Sequence, residues 1–356
     1  MAFSIKVTVV LTAFLLLGVV LAGLIMQPRA SIEAWNIKES NFPGNGSTQD
    51  RLTYLIGYAI LAPSSHNTQP WRFSVNNSTI SVFVDKTRWL NVADADQREL
   101  FLSAGCALEN LVVAADHFGY ACNVTYFPGD EDEIARVKLT FHGRPSGDKR
   151  LFSALLSRHT NRNLYDSQRV PEDVLQILQN CSTEEGMQIY LTSELQTRND
   201  FRDLTVAADQ VLFADINYKS ELGHWLGQGM MGPTGIQALV AQMALVFLDI
   251  GSEQTGKDEE LVDSAPVLGF IATKDNDRVS QVKAGQLFEC VWLTATALGI
   301  SLHPMSQALE VPEKKAQLSE LLPDPSMYPQ QTFRLGYSEP VREHSPRRPL
   351  EEFLIK

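Results

Sequence analysis

Residues 7–26, VTVVLTAFLLLGVVLAGLIM, form a 20-residue run without a charge, and no other stretch of the chain restricts its own placement so strongly. At about 1.5 Å rise per residue, about 20 apolar residues cross the hydrocarbon core of a bilayer as one helix. A secretory signal has a shorter apolar region of about 7–15 residues and a small-x-small cleavage site. The run therefore predicts an uncleaved, single-pass transmembrane anchor in residues 1–30. Lys6 precedes it, and Arg29 and Lys38 follow. That imbalance is too small for the positive-inside rule to decide which side of the membrane holds the body. No later segment approaches 18 uninterrupted apolar residues, so one span and a soluble body are expected.

The chain has 356 residues, 44% hydrophobic and 20% charged, enough to build a core in two lobes. Its formal net charge of −12 repels phosphate backbones and argues against a nucleic-acid partner. A small anionic ligand would need a local basic pocket. Cys106, Cys122, Cys181 and Cys290 are far apart in sequence and form no C-x-x-C, so they read as small buried apolar side chains. The seven histidines show no metal-binding spacing, and no metal site is expected. No G-x-S-x-G occurs, which makes Ser64 and Ser65 poor hydrolase nucleophiles.

Residues 31–50 carry Pro43, Gly44 and Gly46 with little periodicity and read as a tether. Asp50 is a candidate cap for a helix over 51–62. PSSHNTQPW at 63–71 must then leave the helix, because its two prolines force an extended loop. Strands are expected at 71–75 and 79–85, joined as a hairpin. A helix is expected at 98–118, ended by Gly119, followed by strands at 122–127 and 134–141. The polar HGRPSGDKR at 142–150 marks a boundary between a first lobe, 51–149, and a second, 150–356. The second lobe opens with a short helix. Further helices are expected at 172–180, 194–215, 235–249 and 282–298, and strands at 187–192, 267–272 and 331–336. The mixed order indicates an α+β fold, a sheet covered by helices.

Two stretches have residue types suited to a polar heterocycle with a phosphate. In PSSHNTQPW, Asn67 and Gln69 each offer a donor and an acceptor, and Ser64 and Ser65 offer hydroxyls and backbone N–H groups. A capped turn between helix and hairpin would use the same residues. RHTNR at 158–162 puts two arginines and a hydroxyl within five residues, which suits forked, charge-assisted bonds to a phosphate or a solvated basic turn. GQGMMG at 227–232 matches G-x-G-x-x-G, but YKSELGHWL before it is helical in pattern, whereas a dinucleotide site needs a strand there. Residues 226–235 read better as a loop or a mobile lid.

The loop at 63–71 resembles the P-S-S-x-N-x-Q-P-W loop of the nitroreductase family, and RHTNR resembles that family's R-x-S/T-x-R element. RLGY at 334–337 followed by PRRPLEE at 346–352 is similar to the family's C-terminal ending, and LGISLHPM at 298–305 to its G-x-x-x-x-P strand and loop. The loop precedes the arginines by about 90 residues, the reverse of the ordinary order. That order, with DKTRWLNVADADQRELFLSAGCALEN at 85–110, resembles the fused Acg-type branch. The resemblance implies a nitroreductase-like fold in which two related lobes of one chain form a pseudo-dimer holding one FMN. It assigns Arg158, Thr160 and Arg162 to the phosphate and ribityl chain, with Arg348, or Arg347 in its place, as a further phosphate ligand. Ser64, Ser65, Asn67 and Gln69 would line the flavin, as would the backbone at Pro304, Met305 and Ser306. It also implies NAD(P)H as electron donor and two-electron reduction of a nitroaromatic, quinone or similar small acceptor, with no protein nucleophile or general base. An FMN-sequestering protein, its flavin shut under a lid carrying Met230, Met231 and Pro233, is the competing reading.

Overall fold

The computed structural model describes residues 31–355 except 183 and 249; the expected anchor lies outside the described residues. Among the described residues, no single helix is long and apolar enough to cross a membrane.

The first lobe begins with α1, Thr48–Ala59. Ser47 is its N-cap and Asp50 completes a capping box, each side chain bonding the other residue's backbone N–H. The helix thus starts before the expected position, and Asp50 sits inside its first turn instead of capping it. Strands β1, Trp71–Asn76, and β2, Thr79–Val84, form the expected hairpin, with Asn76 opposite Thr79. Helix α2, Arg98–His117, is followed by Gly119 at φ +81°, a conformation that favours glycine and ends the helix. Strands β3, Tyr120–Tyr126, and β4, Glu133–Phe141, complete an antiparallel sheet in the order β1-β2-β4-β3.

The second half repeats that sheet. After α3, Lys149–Leu155, and α4, Glu172–Gln179, come β5, Met187–Thr192, and β6, Val267–Thr273, then α9, Arg278–Ala297, β7, Ser301–Pro304, and β8, Tyr328–Gly336. Their order is β5-β6-β8-β7, again antiparallel, so the same topology occurs twice. Where the first lobe has a two-residue turn, the second inserts four helices: α5, Leu195–Ala214, α6, Ile216–Gly227, α7, Gly235–Phe247, and α8, Gly251–Ser264. Two short helices, α10, Gln307–Glu310, and α11, Pro312–Ser319, precede β8.

The long helices α2 and α9 pack against each other and join the lobes. Gly105 and Gly285, each seven residues after its helix's opening arginine, allow the close approach. A Cβ on Gly105 would run into the carbonyl of Val282, and one on Gly285 into that of Leu102. One apolar core includes Leu55, Trp71 and Val137 from the first lobe and Leu191, Ile271 and Phe333 from the second.

The chain ends also cross between lobes. Phe73 N donates to Phe353 O and Ile355 N to Phe73 O, both at 2.7 Å, laying the C-terminal tail beside β1. Ser31 and Arg347 exchange backbone hydrogen bonds at 2.8 Å, and Trp35 stacks on His344 with ring centroids 3.9 Å apart. The start of the expected tether is therefore docked on the C-terminal segment. Its apolar residues Trp35, Ile37 and Phe42 pack against the core, which the lack of periodicity concealed.

Candidate functional site

The loop after α1 carries unusual backbone conformations. His66, Asn67 and Gln69 have φ of 48°, 53° and 53°, three non-glycine residues in the left-handed region within four positions. Such conformations persist when surrounding bonds over-determine them. Gln69 N donates to Ser64 Oγ at 2.9 Å, Asn67 Nδ2 donates to the carbonyls of Met230 and Pro346, and Arg348 N donates to Gln69 Oε1 at 3.0 Å. The polar side chains of Asn67 and Gln69 are thus spent on holding the loop. Ser64, Ser65 and His66 are turned to a cavity of about 840 Å³, within the usual range of ligand sites.

The opposite wall comes from the second lobe. Thr160 forms an isolated bridge with Leu302, which fastens the RHTNR segment beside β7. Thr160, Arg162, His303, Pro304 and Ser306 line the cavity. Met305 is buried, its N–H bonded to Thr332 O at 2.9 Å, and does not reach the cavity wall. Arg162 makes no hydrogen bond or ion pair within the described residues, so its guanidinium donors are available. The surrounding protein lowers its pKa, and the nearby Asp258 carboxylate counters that shift. Burial holds His66 down to about 4, with Arg162 adding repulsion, and holds His303 well below the usual imidazole range for the same two reasons. Both rings are neutral at pH 7, and Lys257, the other basic residue lining the cavity, is paired with Glu253, so Arg162 is the unpaired cation among these described residues.

The other arginines named by the sequence are committed to structure. Arg158 lies 3.2 Å from Glu289, stacks over Trp292 and donates to Leu61 O. Arg347 donates to the carbonyls of Ile60, Leu61 and Ala62 at 2.9–3.1 Å, closing the C-terminal end of α1, and to Asn67 Oδ1 at 3.1 Å. Arg348 pairs with Glu352 at 3.0 Å and stacks over Phe353. None of the three lines the cavity. The structure therefore brings Ser64, Ser65, Thr160, Arg162, Pro304 and Ser306 together, and keeps Asn67, Gln69, Met305, Arg158, Arg347 and Arg348 behind them.

The inserted helices roof the cavity and add acids that lie far apart in sequence. Leu222 and Leu226 of α6, Met231, and Ala241 and Leu245 of α7 line it. Met230 is buried, and its carbonyl accepts from Asn67. The expected mobile segment 226–235 is thus anchored at Met230 and part of the cavity's cover. Asp209 of α5 and Asp258 of α8 line the same space with Glu99, Glu310 and Tyr218. Burial, then the charge of and hydrogen bond with Asp258, push Asp209 up to about 8. Burial and the Glu99 charge hold Glu310 well above the usual carboxylate range. Both shifts favour the protonated, hydrogen-bond-donating form, where unshifted acids would repel an anion.

No family model matches the chain. Curated relatives do. The provisionally named NAD(P)H nitroreductase Rv3131 of Mycobacterium tuberculosis is 28% identical over 326 residues, covering 88% of this chain and 91% of the relative. The provisionally named NAD(P)H nitroreductase acg of the same species is 25% identical, covering 87% and 97%. PigM of Serratia, again provisionally an NAD(P)H nitroreductase, is 23% identical, covering 78% and 85%. Among solved structures, the FMN and NADPH-dependent nitroreductase NfnB from sphigopyxis is 17% identical, covering 57% of this chain and 96% of its own, with a TM-score of 0.40. Nearly nine-tenths of the chain aligns to nine-tenths or more of Rv3131 and acg, so along almost its whole length the chain is similar to proteins named as NAD(P)H nitroreductases, Acg-like members among them.

Proposed function

We propose that the protein is an FMN-binding, NAD(P)H-dependent oxidoreductase that reduces nitroaromatic, quinone or similar small acceptors. The observation that carries this reading is Arg162, a cation with unspent donors on a cavity wall shared with Thr160, Ser64 and Ser65. The names of the relatives, NAD(P)H nitroreductases, support the reaction class.

The residues present fit the cofactor, with fewer cations than the resemblance implies. Arg162 and the Thr160 hydroxyl would hold the phosphate. The Ser64 and Ser65 end of the strained loop would face the polar edge of the rings, and Phe288 and Trp292 of α9 offer flat apolar surface in the same cavity. When bound, FMN supplies the two-electron chemistry. The chain's own contribution is to orient, to exclude water through the α6–α7 roof, and to weaken the acidity of Asp209 and Glu310 by burial.

The same roof favours a second reading, sequestration of flavin without turnover. An anaerobic absorbance spectrum of the purified chain, before and after NADPH, separates the two. Flavin colour that bleaches rapidly and recovers with a quinone supports the oxidoreductase. Persistent colour supports sequestration, and a chain that stays colourless after soaking with FMN sinks both. For the anchor we propose residues 7–26 as a single membrane span. Full-length protein that resists alkaline carbonate extraction from membranes supports it; release into the soluble fraction refutes it.

A further inference from the structure

The four cysteines are dispersed in sequence, yet the fold brings two of them together. Cys181 sits just beyond α4, its N–H bonded to Leu178 O at 3.2 Å. Cys290 lies in the middle of α9. Their side chains line one pocket, close enough for each thiol to shift the acidity of the other. They also share a neighbour one helical turn after Cys290: Thr294 Oγ1 is 3.4 Å from Cys181 Sγ and donates to Cys290 O at 2.7 Å. Both thiols line a surface pocket of about 220 Å³ with Asp148, Arg150 and Asn180, and both are partly accessible to solvent. The other two differ. Cys106 is buried in α2 and its thiol donates to Gly285 O at 3.2 Å, and burial pushes the Cys122 thiol up to about 12.

We propose that Cys181 and Cys290 are a redox-active dithiol that closes to an intramolecular disulfide when it meets a low-molecular-mass disulfide such as oxidised glutathione. Thr294, one turn from Cys290 and 3.4 Å from Cys181 Sγ, marks the proximity, and the shared pocket supplies the access. The hydrogen bond from Cys290 is the main influence holding the Cys181 thiol below its ordinary value, while the same bond and burial push Cys290 up. Cys181 is therefore the attacking sulfur, since the thiolate is the nucleophile.

In the first step Cys181 sulfur attacks one sulfur of the glutathione disulfide. A mixed disulfide forms on Cys181, and one glutathione leaves as thiolate and takes up the proton lost by Cys181. In the second step Cys290 sulfur attacks Cys181 Sγ. The protein disulfide forms, and the second glutathione leaves with the proton lost by Cys290. Two protein thiols are oxidised and one glutathione disulfide is reduced to two thiols. The two side chains, neighbours in one pocket, close to a sulfur–sulfur bond of about 2.05 Å. The link fastens the end of α4 to the helix that carries Phe288 and Trp292 into the cavity wall.

The test is to incubate the purified full-length chain with oxidised glutathione and to count thiols in denaturant. The reduced chain has four. We expect two after oxidation, an intact mass two hydrogens lighter, and a proteolytic map joining the Cys181 and Cys290 peptides. Dithiothreitol should restore all four. In Cys290→Ser the reaction should stop at one glutathione adduct on Cys181. Four thiols after incubation, or glutathione adducts on the wild-type chain without the 181–290 link, would overturn the proposal. The wild-type mass and map decide the question even where a serine variant folds poorly.

Discussion

Arg158 Nε lies 3.2 Å from Glu289 Oε1, with side chains 4% and 0% exposed. The pair joins the entrance of the second lobe to α9. Burial pushes the Glu289 carboxyl up to about 7, and Arg158 pulls against that rise. Removing one partner leaves the other charge buried and alone, which costs about 3–5 kcal/mol, whereas replacing both with apolar residues costs far less. Arg158→Met should therefore destabilise strongly, and Arg158→Met with Glu289→Leu should recover much of the loss. Urea denaturation of the two variants checks this. Equal losses in both would show that the pair does not act as a unit.

Arg162 should behave in the opposite way. Its side chain faces the cavity and makes no hydrogen bond or ion pair among the described residues, so Arg162→Ala should change stability by less than about 1 kcal/mol. It should weaken FMN retention by about 10-fold or more, the value of a charge-assisted bond to phosphate. Fluorescence titration with FMN reads the affinity. Unchanged affinity would remove Arg162 from the site.

Arg347→Ala should lower stability by about 2–4 kcal/mol, because it uncovers the carbonyls of Ile60, Leu61 and Ala62 together with Asn67 Oδ1. Thermal unfolding of the apoprotein measures this without flavin. A loss confined to the flavin-loaded protein would instead mark Arg347 as a cofactor ligand.

Asp209 gives a pH dependence. Its carboxyl is raised by burial and by Asp258 from an ordinary 3.8 to about 8 in the folded chain. The folded state then holds a proton that the unfolded state has lost, so stability falls as pH rises from about 4 to about 8. Asp209→Asn should flatten that slope and stabilise the protein at pH 8 by at least about 1 kcal/mol. Denaturation midpoints across this window check the sign; a midpoint that rises with pH contradicts it.

Gly105→Val should be damaging, since the added atoms meet the Val282 backbone, which cannot swing aside. Overpacking of this kind costs about 1–3 kcal/mol or more. Size-exclusion and unfolding measurements should show a loosened junction between the lobes, and native-like stability would mean that α2 and α9 can separate without cost.

The local chain was largely legible in the sequence. Periodicity places α2 and α5, turn chemistry places the β1–β2 hairpin and Gly119, and proline places the loop after α1, because these depend on residues near in sequence. Helices α8 and α11 escaped, since neither has a strong apolar stripe: α8 is GSEQTGKDEELVDS and α11 is PEKKAQLS. Arg158, Arg162 and Arg347 are chemically alike, and composition cannot tell a phosphate ligand from a helix cap. Packing makes that distinction, because it turns one guanidinium onto backbone carbonyls, another onto Glu289 and the third into the cavity. The grouping of Asp209, Asp258, Glu99 and Glu310, and the meeting of Cys181 with Cys290, likewise depend on contacts between distant segments, which local residue patterns do not encode.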